Sequence, residues 1–137
     1  MPIPEVKAFI DTNVLLYLMS ADTKKADRSE VILRNGGLIS VQVLNELTNV
    51  TRRKLSMPWS DIDEFVGLIQ SVCTVEPLTL ETHALGRRVA ERYRLSVYDA
   101  MIISSALLAG CNILYSEDMQ HGILIDQELH IQNPFFG

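Results

Sequence analysis

The sequence predicts an α/β fold: a three-layer α/β/α sandwich around a central, mainly parallel sheet of about five short strands. Short apolar runs alternate along the chain with longer segments whose apolar residues recur at helical spacing. Parallel strands need crossover connections, and helices between them supply these. No internal repeat, low-complexity tract or linker interrupts the alternation, so a single domain over residues 1–137 is expected.

Residues 6–10 form an apolar run suited to a buried strand, and residues 13–19 look helical beyond a turn at Asp11. Residues 24–34 set Ala26, Val31, Ile32 and Leu33 among charges and meet Asn35-Gly36-Gly37, a helix stop. Residues 38–40 are a brief second strand. Residues 41–55 repeat Val43, Leu44, Leu47, Val50 and Leu55 at helical spacing, with Pro58 beyond the end. Ser60 is placed to cap the next helix, which runs through Phe65, Val66, Leu68 and Ile69 towards Val72. Residues 74–76 make strand three, and residues 79–93 an amphipathic helix with arginines outside. Residues 96–109 make an apolar helix closed by Gly110, residues 112–115 strand four and residues 129–131 the last strand.

The 47% hydrophobic content is ordinary for a globular domain. No stretch reaches the roughly 18 consecutive apolar residues of a membrane span; the best candidate, residues 100–109, is interrupted by Ser104 and Ser105. The N-terminal MPIPEVKAFID has none of the marks of a secretion signal, so a soluble, cytoplasmic protein is expected. Cys73 and Cys111, far apart with apolar neighbours, read as reduced core thiols. The formal charge of −5 argues against a nucleic-acid binder that relies on a broad basic face alone. It leaves open one whose acids gather around a divalent ion.

In an open α/β sheet, ligands bind beyond the carboxyl ends of the strands. Asp11 ends strand one, Asp118 lies just past strand four, Asp99 opens the helix before it, and Glu46 is a turn into the helix after strand two. Taken singly, each has a plain structural role available. Asp11 can cap the following helix, Asp118 can be a turn residue, and Asp99 sits three after Ser96 at capping-box spacing. Glu46 is harder to dismiss, because Val43 and Val50 place it beside the apolar face, where a charge needs a partner. Gathered at one edge, the acids would repel and raise one another's pKa values unless a cation joined them. The ligands would be oxygens, with no His or Cys at metal spacing, which favours Mg²⁺ or Mn²⁺. Such a site suits hydrolysis of a phosphodiester.

With these residues assembled, the chain resembles the PIN domain family and, within it, the VapC-like ribonuclease toxins of toxin–antitoxin pairs. The resemblance rests on FIDTNVLLYL, on Glu46 in SVQVLNELTNV, on YDAMIISSALLAG and on ILYSEDM, in that order along nearly the whole chain. It implies that Asp11, Glu46, Asp99 and Asp118 form the catalytic, metal-binding cluster. Asn13 and Ser116 match supporting polar positions, and Thr12 can serve the turn. The resemblance also implies an RNA substrate, a homodimer, and an antitoxin whose segment covers the active groove. The chain departs from the family at Glu117, expected to be solvent-exposed, and in MQHGILID, which lacks a basic, aromatic follow-on; His121 is expected to be a surface residue.

For substrate phosphates the candidates are Arg52, Arg53 and Lys54, and the series Arg87, Arg88, Arg92 and Arg94, each of which also reads as a solvated helix face. Tyr17, Tyr98 and Trp59 have rings able to stack on bases, with core packing favoured for Tyr17 and Tyr98. A divalent-metal-dependent endoribonuclease is the leading functional expectation, and a non-catalytic nucleic-acid-binding or regulatory module on the same fold is the alternative. A signalling receiver domain fits worse: strand three ends in Glu76-Pro77, and no lysine follows Lys54.

Overall fold

The computed structural model describes residues 6–135. The ends of the expected 1–137 domain, with residues 1–5 of the N-terminal stretch on which the secretion reading rested, lie outside the described residues. In chain order the elements are β1 (Ala8–Ile10), α1 (Thr12–Leu16), a 3-10 turn (Tyr17–Met19), α2 (Thr23–Arg34), β2 (Gly37–Ser40), α3 (Val41–Arg53) and α4 (Trp59–Val72). Then follow β3 (Cys73–Glu76), α5 (Leu80–Tyr93), α6 (Val97–Leu108), β4 (Ile113–Tyr115), β5 (Leu124–Ile125) and β6 (Leu129–Gln132).

The sheet order is β3-β2-β1-β4-β6-β5, parallel throughout except for the antiparallel edge strand β5. This is the expected α/β architecture with one more strand than foreseen. Successive strand residues point to opposite faces. Phe9 and Ile10 are both fully buried, so both faces of the sheet are covered at β1. The chain leaves β1 for β2 and β3 on one side, and β4 and β6 fill the other. The order therefore reverses between β1 and β4, the switch point at which the strand ends open a crevice.

Helix α6 is buried continuously from Ala100 to Ala106, which explains why its apolar residues run all round rather than along a stripe. Its closest partner is α5, where Gly86 leaves room for Met101: a Cβ there would come within 2.5 Å of Met101 Cε. Cys73 and Cys111 are free and buried, as expected.

Three local expectations need correction. The segment after Asp11 is not one helix: α1 starts at Thr12 and tightens into the 3-10 turn at Tyr17. Ser60 does not cap α4; Pro58 occupies the N-cap with φ −60°, and its carbonyl accepts from Asp61 and Ile62 N–H at 3.0 and 3.1 Å. Strand β5 was not foreseen. It is two residues long and reaches β6 through Asp126 and Gln127, both with positive φ, while Glu128 N–H donates to Ile125 O at 3.0 Å. Positive φ at both central positions is what a type I′ hairpin turn requires, and here no Asn-Gly or Asp-Gly pair announces it.

Among the described residues, the buried hydroxyls of Ser29 and Ser105 have no hydrogen-bond partner. An unpaired buried hydroxyl carries its desolvation cost without return. Ser105→Ala should therefore raise unfolding stability by about 1 kcal/mol. Leu114→Ala, in the fully buried middle of β4, should lower it by roughly 3 kcal/mol. Urea unfolding checks both signs, and a destabilised Ser105→Ala would show that the hydroxyl has a partner.

Candidate metal centre

The site begins where β1 ends. Asp11 N–H donates to Tyr115 O at 2.9 Å, which prolongs the β1–β4 ladder and holds Asp11 at the switch point. Its backbone is extended (φ −77°, ψ 158°) and its carboxylate caps α1, accepting Thr12 N–H at 2.7 Å through Oδ1. Capping is thus part of its role. The other oxygen, Oδ2, accepts the Ser116 hydroxyl at 2.7 Å and the Asn13 amide at 3.3 Å.

Those donors belong to a wider frame. Ser116 follows β4, donates its N–H to Gln132 O at 3.0 Å, and accepts Met119 N–H at 3.2 Å through Oγ. Asn13 turns its carbonyl oxygen to Glu117 N–H at 3.1 Å, so one side chain ties β1's end to β4's. Thr12 reaches the other way, donating from Oγ1 to Glu46 Oε1 at 2.9 Å, while Gln42 Nε2 donates to Glu46 Oε2 at 3.1 Å. Thr12, Asn13 and Ser116 therefore all orient carboxylates or the loops that carry them. Gln42 was missed as part of this set, although its position four before Glu46 places both on one helix face.

The four acids lie on a gradient of exposure: Asp11 is 3% exposed, Glu46 and Asp99 are half-buried, and Asp118 is exposed. Burial pushes the Asp11 carboxyl up to about 7; the Ser116 and Thr12 hydrogen bonds oppose the rise, and the charges of Glu46 and Asp99 add to it. Asp99 is also raised, first by burial and then by Asp118, against a lowering hydrogen bond from Ser96. The acids feel one another across the crevice. Among the described residues the ion pairs are Lys25–Glu117, Arg34–Glu30 and Arg92–Asp126, none of which involves these four acids.

Among the described residues no three His, Cys, Asp or Glu side chains converge closely enough to surround one ion. The donor set still suits an oxygen-seeking divalent cation, because a buried carboxyl that its surroundings hold partly protonated gains most from a positive charge nearby. Asp11, Glu46, Asp99 and Asp118 are the residues available to hold it.

Glu117 is not solvent-exposed as expected. Lys25 Nζ lies 2.6 Å from its carboxylate and the Tyr17 hydroxyl donates to it at 2.5 Å. Burial acts against its charge, but the bonds from Lys25 and Tyr17 prevail and hold it below the usual range. Its charge is thereby spent on Lys25 and Tyr17. His121 is exposed, as expected, and accepts Asn133 N–H through Nδ1 at 2.9 Å. Tyr98 is not a core residue: it is 66% exposed, because α6 enters the core only from Ala100. Tyr17 is half-buried against Phe135, with ring centroids 4.8 Å apart. Trp59 is exposed, with the Arg52 guanidinium 5.0 Å from its ring centroid.

The basic trio divides. Arg52 donates to Met57 O at 3.0 Å and covers Trp59, which commits it to the α3–α4 turn. Arg53 lies seven residues, two helical turns, beyond Glu46 and shares its face; Lys54 is the exposed C-cap of α3. Arg87 and Arg88 are exposed on α5, and Arg92 pairs with Asp126 at 3.4 Å.

The PIN domain family model matches residues 8–122. No curated protein is a significant sequence match. Among solved structures, a toxin–antitoxin complex from Klebsiella pneumoniae superposes with a TM-score of 0.71 at 17% identity, covering 94% of this chain and 98% of that one. VapC20 of Mycobacterium tuberculosis, a sarcin–ricin loop cleaving toxin, gives 0.67 at 18% identity, covering 82% and 90%. VapBC2 of Rickettsia felis, bound to a DNA fragment from its promoter, gives 0.67 at 17% identity, covering 93% and 100%. At these identities the likeness is one of fold.

A carboxyl raised from 3.8 to about 7 favours the folded state fully below the lower value and loses that contribution as pH rises through the upper one. Metal-free protein should therefore lose thermal stability between about pH 5 and about pH 8, and Asp11→Asn, which does not ionise, should flatten the loss. A divalent ion competes with the same proton, so Mn²⁺ should bind more tightly at about pH 8 than at about pH 6, with proton release. Calorimetry in two buffers reads this, and an affinity independent of pH would contradict it.

Proposed function

The chain belongs to the PIN domain family, and from that premise we propose that it is a divalent-metal-dependent endoribonuclease, the toxin of a toxin–antitoxin pair. The observation that carries this reading is the Asp11 carboxyl: buried at the switch point, raised to about 7, within electrostatic reach of Glu46 and Asp99, and in none of the ion pairs among the described residues. A structural cap needs none of that company.

When bound, Mg²⁺ or Mn²⁺ would activate water and neutralise charge at the scissile phosphate. The chain's own residues do the remaining work. Asp11, Glu46, Asp99 and Asp118 are the acids that would hold the cation. Thr12 and Gln42 fix the Glu46 carboxylate, Ser116 and Asn13 fix that of Asp11, and Asn13 also holds the loop that carries Asp118. Because the acids open from buried Asp11 to exposed Asp118, the substrate approaches from the Asp118 side. Arg53, on the Glu46 face, is the cation placed to meet the RNA backbone there, with Lys54 beyond it.

The toxin reading is supported by the neighbours, one a sarcin–ricin loop cleaving toxin and another a toxin–antitoxin complex. A cognate antitoxin and a second copy of the chain are the protein partners this reading includes, and the cytoplasm is its setting. Among the described residues no helix is long and apolar enough to cross a membrane. An apolar groove between the 3-10 turn, α2 and α4, lined by Leu18, Met19, Leu33, Phe65, Leu68 and Val72, is the kind of surface that a protein partner covers.

The alternative, a non-catalytic binding module, draws on the absence of three converging acids among the described residues. The two readings separate on total RNA. With Mn²⁺ the wild type should leave fragments bearing 5′-phosphate and 3′-hydroxyl ends, and EDTA, Asp11→Asn or Asp99→Asn should stop cleavage while the fold, by circular dichroism, persists. Arg53→Ala should weaken RNA binding and reduce the slope of log affinity against log salt by about 0.7. Cleavage that survives EDTA, or in Asp11→Asn, would sink the nuclease reading.

A further inference from the structure

We propose that the cleft between α3 and the first turn of α6 is a nucleobase subsite: Tyr98 stacks on an unpaired base next to the scissile phosphate, and Asn45 and Asn49 read its edge. The inference rests on the ribonuclease reading above and adds what that reading lacks, a source of sequence preference.

The cleft is lined by Gln42, Asn45, Glu46, Asn49 and Tyr98 and has a volume of about 360 Å³. That lies at the small end of the range for clefts that take small ligands or single ligand groups. Its position is set by two elements that also serve the acids. Gln42, Asn45, Glu46 and Asn49 fall at i, i+3, i+4 and i+7 on α3 and so form one face. Tyr98 immediately precedes Asp99 at the start of α6. A nucleotide whose phosphate sits at Glu46 and Asp99 thus has this cleft beside it.

The chemistry of the lining selects the ligand group. No Lys or Arg lines the cleft, so it has no complement for a second phosphate. Apart from Glu46 its polar side-chain groups are neutral: three amides and the Tyr98 hydroxyl. Gln42 is committed to Glu46 Oε2, whereas Asn45 and Asn49 are exposed and make no side-chain hydrogen bond among the described residues. Each offers one acceptor and two donors in a plane, the pattern that matches the edge of a base. Tyr98, 66% exposed, keeps its ring free of the core. Base stacking on an aromatic ring is the usual way an unpaired nucleotide is held.

The test uses the full chain in two measurements. In the first, a single-stranded RNA carrying 2-aminopurine, whose fluorescence falls on stacking, is titrated with protein in Ca²⁺ or EDTA. The wild type and Tyr98→Phe, which keeps the ring, should quench it; Tyr98→Ala should lose the quench and bind about tenfold more weakly, within the range for one stacked base. In the second, a random-sequence RNA pool is cut in Mn²⁺ and the fragment ends are sequenced. Asn45→Asp and Asn49→Asp should change the preferred base at one position beside the cut and leave the other positions as in the wild type. Wild-type quenching and unchanged fragment ends in Tyr98→Ala would overturn the subsite, and so would a uniform loss of cutting with unchanged base preference across the three variants. If the wild type leaves the pool uncut, the ribonuclease reading fails, while the quenching measurement still decides whether Tyr98 stacks on a base.

Discussion

The molecule is organised around a carboxylate that its own fold disfavours. Asp11 is 3% exposed at the junction of two parallel strands and accepts bonds from Thr12 N–H, the Ser116 hydroxyl and the Asn13 amide. Three donors normally lower a carboxyl pKa, yet burial outweighs them here. The sheet topology leaves the residue no alternative place. β1 is central and its end is fixed by the Asp11–Tyr115 ladder bond, so the side chain must lie where the strand order reverses.

From this position a short stretch of chain reaches far. Asp11 takes a hydroxyl from Ser116, Thr12 gives one to Glu46, and Asn13 accepts the Glu117 N–H, so three consecutive residues bind the ends of β1 and β4 to helix α3. Such a hub works only if its own backbone does not move. Phe9, Ile10, Val14 and Leu15, on either side, are all fully buried. The apolar runs that make the polar triplet conspicuous in the sequence are the mount that keeps it still. Beyond Asn13, Lys25 and Tyr17 fasten Glu117, and that holds the exposed loop bearing Asp118 against α2 and the 3-10 turn.

The alternation of strands and helices was legible because it depends on period and length; Asp11, Asp99 and Asp118 stand out in the sequence because they fall at or near strand and helix ends, and Glu46 because Val43 and Val50 put it beside the apolar face of α3. What sequence missed depended on distance in space or on unusual backbone. The Glu117 pairing joins residues 92 positions apart, Lys25 to Glu117, and no spacing rule reaches that far. The hairpin at Asp126 and Gln127 places two non-glycine residues at positive φ, where composition gives little warning. Ser60 misled because a serine before an apolar run is a common cap, whereas Pro58, with φ already near helical, starts α4 two residues earlier. Tyr98 misled for a related reason: it belongs to an apolar helix, but to the turn that precedes the buried run.

The same geometry bears on how a chain of net charge −5 would accommodate the proposed polyanionic substrate. Glu30, Glu117 and Asp126 each have a cationic partner, so their charges are compensated locally. Asp11, Glu46, Asp99 and Asp118 are in no ion pair among the described residues, and a divalent ion held there, as proposed above, would turn local repulsion into attraction for phosphate. Beside them α3 continues as a neutral amide face through Asn49 to Arg53, with no acid between Glu46 and the arginine. A strand of RNA laid along that face would meet the cation-binding acids, then amides, then positive charge, so repulsion is relieved where the backbone must come closest.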